Sequence, residues 1–390
     1  MILPQKICIM TGTRAEYGLM RWLMHDLAQD PDFELQIVAS AMHLAPEFGH
    51  TVDLIRADGF AIDGEVPCLI GGDDNISLGL SMAKALQGFT QAFSKLAPDL
   101  LVLLGDRFES FAAASAATAL RIPIAHLHGG ETTEGAMDEA FRHAITKMSH
   151  LHFVAAKDYA RRVIQLGEQP ERVFNVGAIG LDNFKRLDLP DAHQLSADLQ
   201  FDLSNGFFLI TQHSATLESG PPTEGINALI EALEHFPKIK LLFTKANADP
   251  GGRAINERLD EYAKAHKDRV YLTSSLGQQR YLGAMQSTMA VLGNSSSGLI
   301  EAPAIDVPTV NLGARQAGRL RSHSVIDCAE NARAIQTAIE QAISPEFRDG
   351  LKASTPAYGR AGEVVARIIK QLRDVPFDTL LIKKFHDLQN

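Results

Sequence analysis

The sequence predicts an α/β protein built as two doubly wound domains. Three observations carry this. KICIMTG (6–12) is a short apolar run that passes through a Gly-bearing turn, TGTRAEYG, into LMRWLMHDL with helical spacing. DLLVLLG (99–105) is too uniformly apolar for a half-exposed strand, which fits a central strand covered on both faces. A polar stretch between Gly177 and Leu203 then interrupts the pattern, and a fresh apolar strand, GFFLITQH (206–213), restarts it.

In chain order, ELQIVAS (34–40) reads as the second strand. Gly59 to Val66 holds a third, ending in the Gly71-Gly72-Asp73-Asp74 loop. Ile76 to Leu96 has apolar residues at helical intervals and stops before Pro98. FAAASAATAL (111–120) is a helix whose Ala and Ser content permits close packing on a sheet. IPIAHLH, LHFVA and RVFNVG supply further strands. The first domain is placed at 1–180 and the second at 181–365, the latter with strands in KIKLLFT, RVYLTSS, MAVLGN and PTVNLG. The end, from Gly362 to Leu388, reads as helical, with 366–390 a tail that packs back on the first domain. Two such domains leave a cleft between them, a usual place for a ligand.

The chain has 390 residues, room for two domains with a substantial core. Hydrophobic residues make up 45% and charged ones 22%, as in ordinary globular proteins. A net charge of −10 argues against nucleic acid as a partner, though a nucleotide needs only one or two local cations. Cys8, Cys68 and Cys328 are scattered and odd in number, which suits a reducing cytoplasm and core packing. The start reads as a strand rather than a signal peptide. No apolar run approaches ~18 residues, so no membrane span is expected.

The chemistry gathers at strand ends. LVLLGDRFE delivers Asp106, Arg107 and Glu109; IAHLHGGETTEGAMDEAFRH delivers His128, Glu131, Asp138 and Arg142. Such ends converge on a crevice in open parallel sheets, and clustered charges there cost solvation unless used. Asp138 and Arg142 stand four apart on one helix face and can pair. An ionised carboxylate can act as a base and a drier one as an acid. The competing reading of Asp138 is a helix-start acid satisfying the dipole.

GNSSSGLIE (293–301) turns from a strand into a helix. Its free N–H groups and the hydroxyls of Ser295 and Ser296 suit a phosphate, and Glu301 could accept from both hydroxyls of a ribose. A serine-capped helix without ligand fits the same spacing. Arg14 in TGTRAEYG can clamp a diphosphate or pair with Glu16. Arg315 in NLGARQAGR is a third cationic candidate, or a solvated loop residue. His213 in TQHSAT suits acid–base work, or simply closes its strand. His126, His128, His143, His150 and His152 lack HExxH or Cys/His spacing, so no metal is assigned.

Taken together, TGTRAEYG, LGDRFE, HGGETTEGAMDEAFRHAITKMSHLHF, VIQLGE and GNSSSGLIEAP resemble the hydrolysing UDP-N-acetylglucosamine 2-epimerases of bacterial sialic and legionaminic acid synthesis. The resemblance runs in order from about residue 5 to 370. It implies two Rossmann-like domains in the GT-B arrangement, no cofactor, and a homodimer or homotetramer. It also implies a reaction: UDP is eliminated across C1–C2 to an acetamidoglucal, and water adds back with C2 inverted. By similarity Asp106, Glu131 and Asp138 match catalytic carboxylates, with Arg142 and His213 beside them. Arg14, Ser295, Ser296, Glu301 and Arg315 match nucleotide-holding positions. One departure is Gly18, where some animal members carry Ser. UDP-N-acetylglucosamine is the expected substrate. UDP-N,N′-diacetylbacillosamine is a close second, because TTEGAMDEAFRH and MHLAPEFG look like the branch that uses it. A GT-B glycosyltransferase and a non-catalytic sugar-nucleotide sensor are the rival readings; the dense carboxylate cluster favours proton chemistry over both.

Overall fold

The computed structural model describes residues 3–71, 74–133, 137–214, 221, 223–246 and 251–388. The chain divides into two compact units, residues 1–183 with 362–390, and residues 184–361. The division follows chain contacts, and the second unit is an insertion in the first.

The first unit is a seven-stranded parallel sheet. Its strands are β1 (Gln5–Thr11), β2 (Phe33–Ser40), β3 (Gly64–Val66), β4 (Leu100–Leu104), β5 (Ile124–Leu127), β6 (Leu151–Val154) and β7 (Val173–Asn175). They lie in the order β3-β2-β1-β4-β5-β6-β7. The order reverses between β1 and β4, which pair with Ile7 opposite Leu100. That reversal is where the ends of a doubly wound sheet splay open. β4 is buried throughout, as its uniform apolar run requires. One face is covered by the helices Asn75–Leu96, Phe108–Ala119 and Asp138–Met148. The alanines of the middle helix allow the approach: Ala112, Ala113, Ala116 and Ala117 are all buried. Phe89 and Phe93 stack at 5.5 Å behind it.

The second unit repeats the plan with six strands. These are β8 (Phe207–Thr211), β9 (Lys240–Thr244), β10 (Val270–Thr273), β11 (Ala290–Gly293), β12 (Thr309–Leu312) and β13 (Val325–Cys328). The order is β10-β9-β8-β11-β12-β13, again parallel, with its reversal between β8 and β11. β13 escapes the sequence pattern: VIDC is short, partly exposed and at a sheet edge, so it carries little apolar signal.

The tail departs from the expectation of a helix through Leu388. The helix runs only Val364–Asp374; Pro376 comes two residues later, and 381–388 have no regular structure. The helix start is capped from afar. Asp182 accepts from the N–H groups of Val364 and Val365 at 3.0 and 2.9 Å. The irregular residues are strapped to the first unit. Arg172 donates to the carbonyls of Leu380 and Ile382 at 3.0 and 3.1 Å. Lys383 donates to Lys147 O, Ser149 O and the buried Glu168 carboxylate at 2.6, 2.7 and 2.8 Å. Lys147 and His152 also hold Glu168, at 2.5 and 2.9 Å. Burial would raise that carboxyl, but the three donors overcome it and hold it low, at about 2. Among the described residues no helix is long and apolar enough to cross a membrane.

Candidate functional site

In the first unit one guanidinium binds Asp106 and the Glu131 backbone and acts by its charge on Asp138. Arg142, 4% exposed, reaches from its helix to the exit of β4 and pairs with Asp106. It also donates to Glu139 at 2.7 Å, to the Glu131 carbonyl at 3.0 Å and to Thr133 Oγ1 at 3.0 Å. The expected pairing with Asp138 is therefore corrected. Glu139, three residues before Arg142, takes the i, i+3 place, and Asp106 takes the long-range one. Asp138 stays in the field of both arginines. Its carboxyl is raised above the ordinary range by withdrawal from water and then by the charge of Asp106, against Arg107 and Arg142. A carboxyl poised upward in this way suits proton transfer.

Glu131 is oriented by His128, Nδ1 to Oε1 at 2.8 Å. His128 Nε2 accepts the Ile179 N–H at 3.2 Å, so in the neutral ring the proton sits on Nδ1 and is donated to Glu131. His128 holds φ at +63°, uncommon for a residue with a side chain, at the exit of β5. His126 is wholly buried and joins the two exits, with Nε2 2.7 Å from Gly105 O. Burial drives its ring down to about 3, so it stays neutral and structural. His150, just before β6, and His152, within it, are buried in bonds to Ile124 N and Glu168.

At the exit of β1, Thr13 caps the helix Arg14–Gln29 through a capping box with Glu16. Arg14 is exposed on its first turn. Glu16 turns its carboxylate to the N–H groups of Gly12 and Thr13, at 2.7 and 3.1 Å, rather than to Arg14.

In the second unit the organiser is Asn294, a residue that the motif alone does not mark out. Fully buried at the exit of β11, it grips the exit of β8. Its Oδ1 accepts the His213 N–H at 2.8 Å and its Nδ2 donates to the His213 carbonyl at 2.9 Å. Its own carbonyl accepts from Arg315 at 3.2 Å and Gln316 at 2.8 Å, which arrive from the exit of β12. Asn294 stands inside the GNSSSG run, where its residue type signals only a turn. Gly293, at φ +121°, must be glycine, since a Cβ there would lie 2.0 Å from Thr211 O.

The helix Ser297–Ala304 begins directly after this turn. Ser296 occupies its cap position without a side-chain cap bond, and Ser295 Oγ lies 3.0 Å from Ser297 Oγ. Tyr281 bonds Ser297 at 2.6 Å and so braces the loop from a neighbouring helix, Gly277–Ser287. Gly298 lets the serine helix lie close on β12, where Thr309 Oγ1 donates to its carbonyl at 2.7 Å. Glu301 is half-buried on the second turn. The segments 134–136 and 215–220, within TTEGA and after TQHS, lie outside the described residues.

A family model described as UDP-N-acetylglucosamine 2-epimerase matches residues 25–373. The chain belongs to this family. A Campylobacter jejuni relative, named GDP/UDP-N,N′-diacetylbacillosamine 2-epimerase (hydrolyzing), is 42% identical over 384 residues, 98% of this chain and 99% of its own. An Escherichia coli relative, polysialic acid biosynthesis protein P7, is 36% identical over 94% of each chain. The crystal structure of Neisseria meningitidis UDP-GlcNAc 2-epimerase bound to UDP-GlcNAc shares the fold, with TM-score 0.80 and 18% identity over 95% of this chain and all of that one. Within the UDP-N-acetylglucosamine 2-epimerase family, sequence and fold thus agree on one architecture of two parallel-sheet units.

Proposed function

We propose that this protein is a hydrolysing UDP-sugar 2-epimerase of nonulosonic acid biosynthesis, cytoplasmic and assembled as a homodimer or homotetramer. One observation carries the chemical part: the buried Arg142 pairs with Asp106, holds the Glu131 carbonyl and acts by its charge on Asp138, whose carboxyl is raised. In the first half-reaction the C2 proton passes to a carboxyl, the C1–O bond breaks, and UDP leaves with the bonding pair. In the second, water adds hydroxyl to C1 of the glucal and a proton returns to C2 from the other face. The products are UDP and a free 2-epimeric sugar.

In this reading Asp138 and Glu131 move protons, and Asp106, fixed by Arg142, positions sugar or water. The departing diphosphate needs cations and donors already in place. Arg14, Arg315, Ser295 and Ser296 take that role, Glu301 the ribose, and His213 acid–base support. The GNSSSG backbone and the helix Ser297–Ala304 suit an anion.

For the sugar, UDP-N,N′-diacetylbacillosamine takes first place over UDP-N-acetylglucosamine. The activity for which the 42% identical relative is named supports it, as do the TTEGAMDEAFRH and MHLAPEFG segments. The test is turnover of the two UDP-sugars side by side, with products followed by NMR. Release of UDP together with a free manno-configured sugar supports hydrolysis. Return of an epimerised UDP-sugar, or no reaction without an acceptor, rejects it.

A further inference from the structure

Beneath the β1–β4 reversal lies a second pair of acids that the reaction above does not use. Glu109, on the first turn of its helix, is fully buried. Its Oε1 takes Arg107 Nε at 2.5 Å, while Oε2 is buried with no hydrogen-bond partner among the described residues. Glu16 is 8% exposed and bonded to Gly12 N and Thr13 N. Both acids pack on Gly12: a Cβ there would lie 2.4 Å from Glu109 Oε1. One turn residue is thus enclosed by two buried carboxyls, and among the described residues Arg107 is the guanidinium bonded to them.

We propose that Glu16 holds its proton beside the buried Glu109 carboxylate, and that this unequal pair acts as a positioning device for Arg107 and for the Gly12–Arg14 turn. Two buried carboxylates at one place do not both ionise readily, and here one arginine offsets only one. Burial first and the Glu109 charge second push Glu16 up to about 7, against the Gly12 and Thr13 N–H bonds and Arg107. Among the described residues, His43 and Cys68 also face this region and stay neutral. His43, whose N–H meets Gly12 O at 3.2 Å, is driven down to about 4 by burial. The Cys68 thiol is pushed up by burial, with Glu109 adding to it. Asp138 also acts on Arg107 by its charge.

The device deepens the proposed function and rests on it for its effect on catalysis. Loss of that proton adds a negative charge to the Gly12–Arg14 turn. It also tightens the hold of the pair on Arg107. Binding of an anionic sugar nucleotide then weakens as pH rises.

The sign for stability is fixed. A carboxyl raised in the folded state binds its proton more tightly there than in the unfolded chain. Its contribution is therefore full below the ordinary carboxyl range and is lost as pH rises toward about 7. Melting of the free protein is measured from pH 5 to 8 for wild type, Glu16→Gln and Glu109→Gln. Wild type should lose melting temperature across this range. Glu16→Gln keeps the uncharged shape and should lose less. Glu109→Gln removes the partner charge and should also flatten the slope, so the test survives misfolding of either variant. The KM for the UDP-sugar should rise several-fold between pH 6 and 8 in wild type and stay level in Glu16→Gln, with kcat at pH 6 held within about twofold. An unchanged melting slope in whichever variants fold overturns the pair. A flattened slope in an enzyme that turns over no UDP-sugar keeps the pair and rejects the activity instead.

Discussion

The side chain of Asn294 closes both backbone groups of His213, accepting its N–H at 2.8 Å and donating to its carbonyl at 2.9 Å. The two residues follow closely on the strands that flank the sheet reversal, so this amide sets the spacing of their exits. Asn294→Ala removes both side-chain bonds to the part-buried His213 backbone and loosens the Arg315 contact. It should cost about 1–3 kcal/mol of stability and weaken UDP binding. Denaturant unfolding and calorimetric titration with UDP check this; wild-type values in both would remove the clamp from the account.

Asp138 has a different signature. Asp138→Asn should leave UDP affinity nearly intact and lower turnover at least roughly a hundredfold. Steady-state kinetics beside a UDP titration separate the two quantities. Turnover close to wild type would take Asp138 out of the proton chemistry.

Arg315 should act on binding. Its guanidinium lies 3.2 Å from Asn294 O, at the mouth of the serine loop. Arg315→Ala should weaken UDP by about 1–3 kcal/mol. An unaltered dissociation constant would count against the assignment.

Glu168 tests the tail strap. Its folded-state pKa is lowered, so its contribution is present above the ordinary carboxylate range and is lost as pH falls toward about 2. Glu168→Gln leaves Lys383 and Lys147 without their counter-charge and should destabilise by about 3–5 kcal/mol. Limited proteolysis should then cut first after residue 376. A variant as stable as wild type would show that the strap contributes little.

Much of the fold is legible in the sequence because period and position speak directly. β4 and β8 are uniformly apolar since both faces are covered, and the Ala-rich helix announces its close packing. Glycines mark the strand exits where Asp106, Glu131 and Ser295 stand. Partnerships are harder to read. The i, i+4 spacing suggests Asp138 for Arg142, whereas Asp106 comes from another strand and Glu139 from the next position along the helix. Asn294 looks like a turn residue because its two-way bond to His213 spans 81 positions of chain. The tail misleads because the amphipathic spacing of 364–374 holds no sign that the chain beyond Pro376 turns irregular.

The strap of residues 377–388 also bears on how the molecule is made. Emerging from the ribosome, residues 1–183 carry the whole first sheet but lack the cation that Lys383 brings to Glu168 and the helix that Asp182 caps. Domains usually fold as units during synthesis, N-terminal first. Here the first unit stays unfinished until residues 362–388 arrive, and the inserted one completes itself in between.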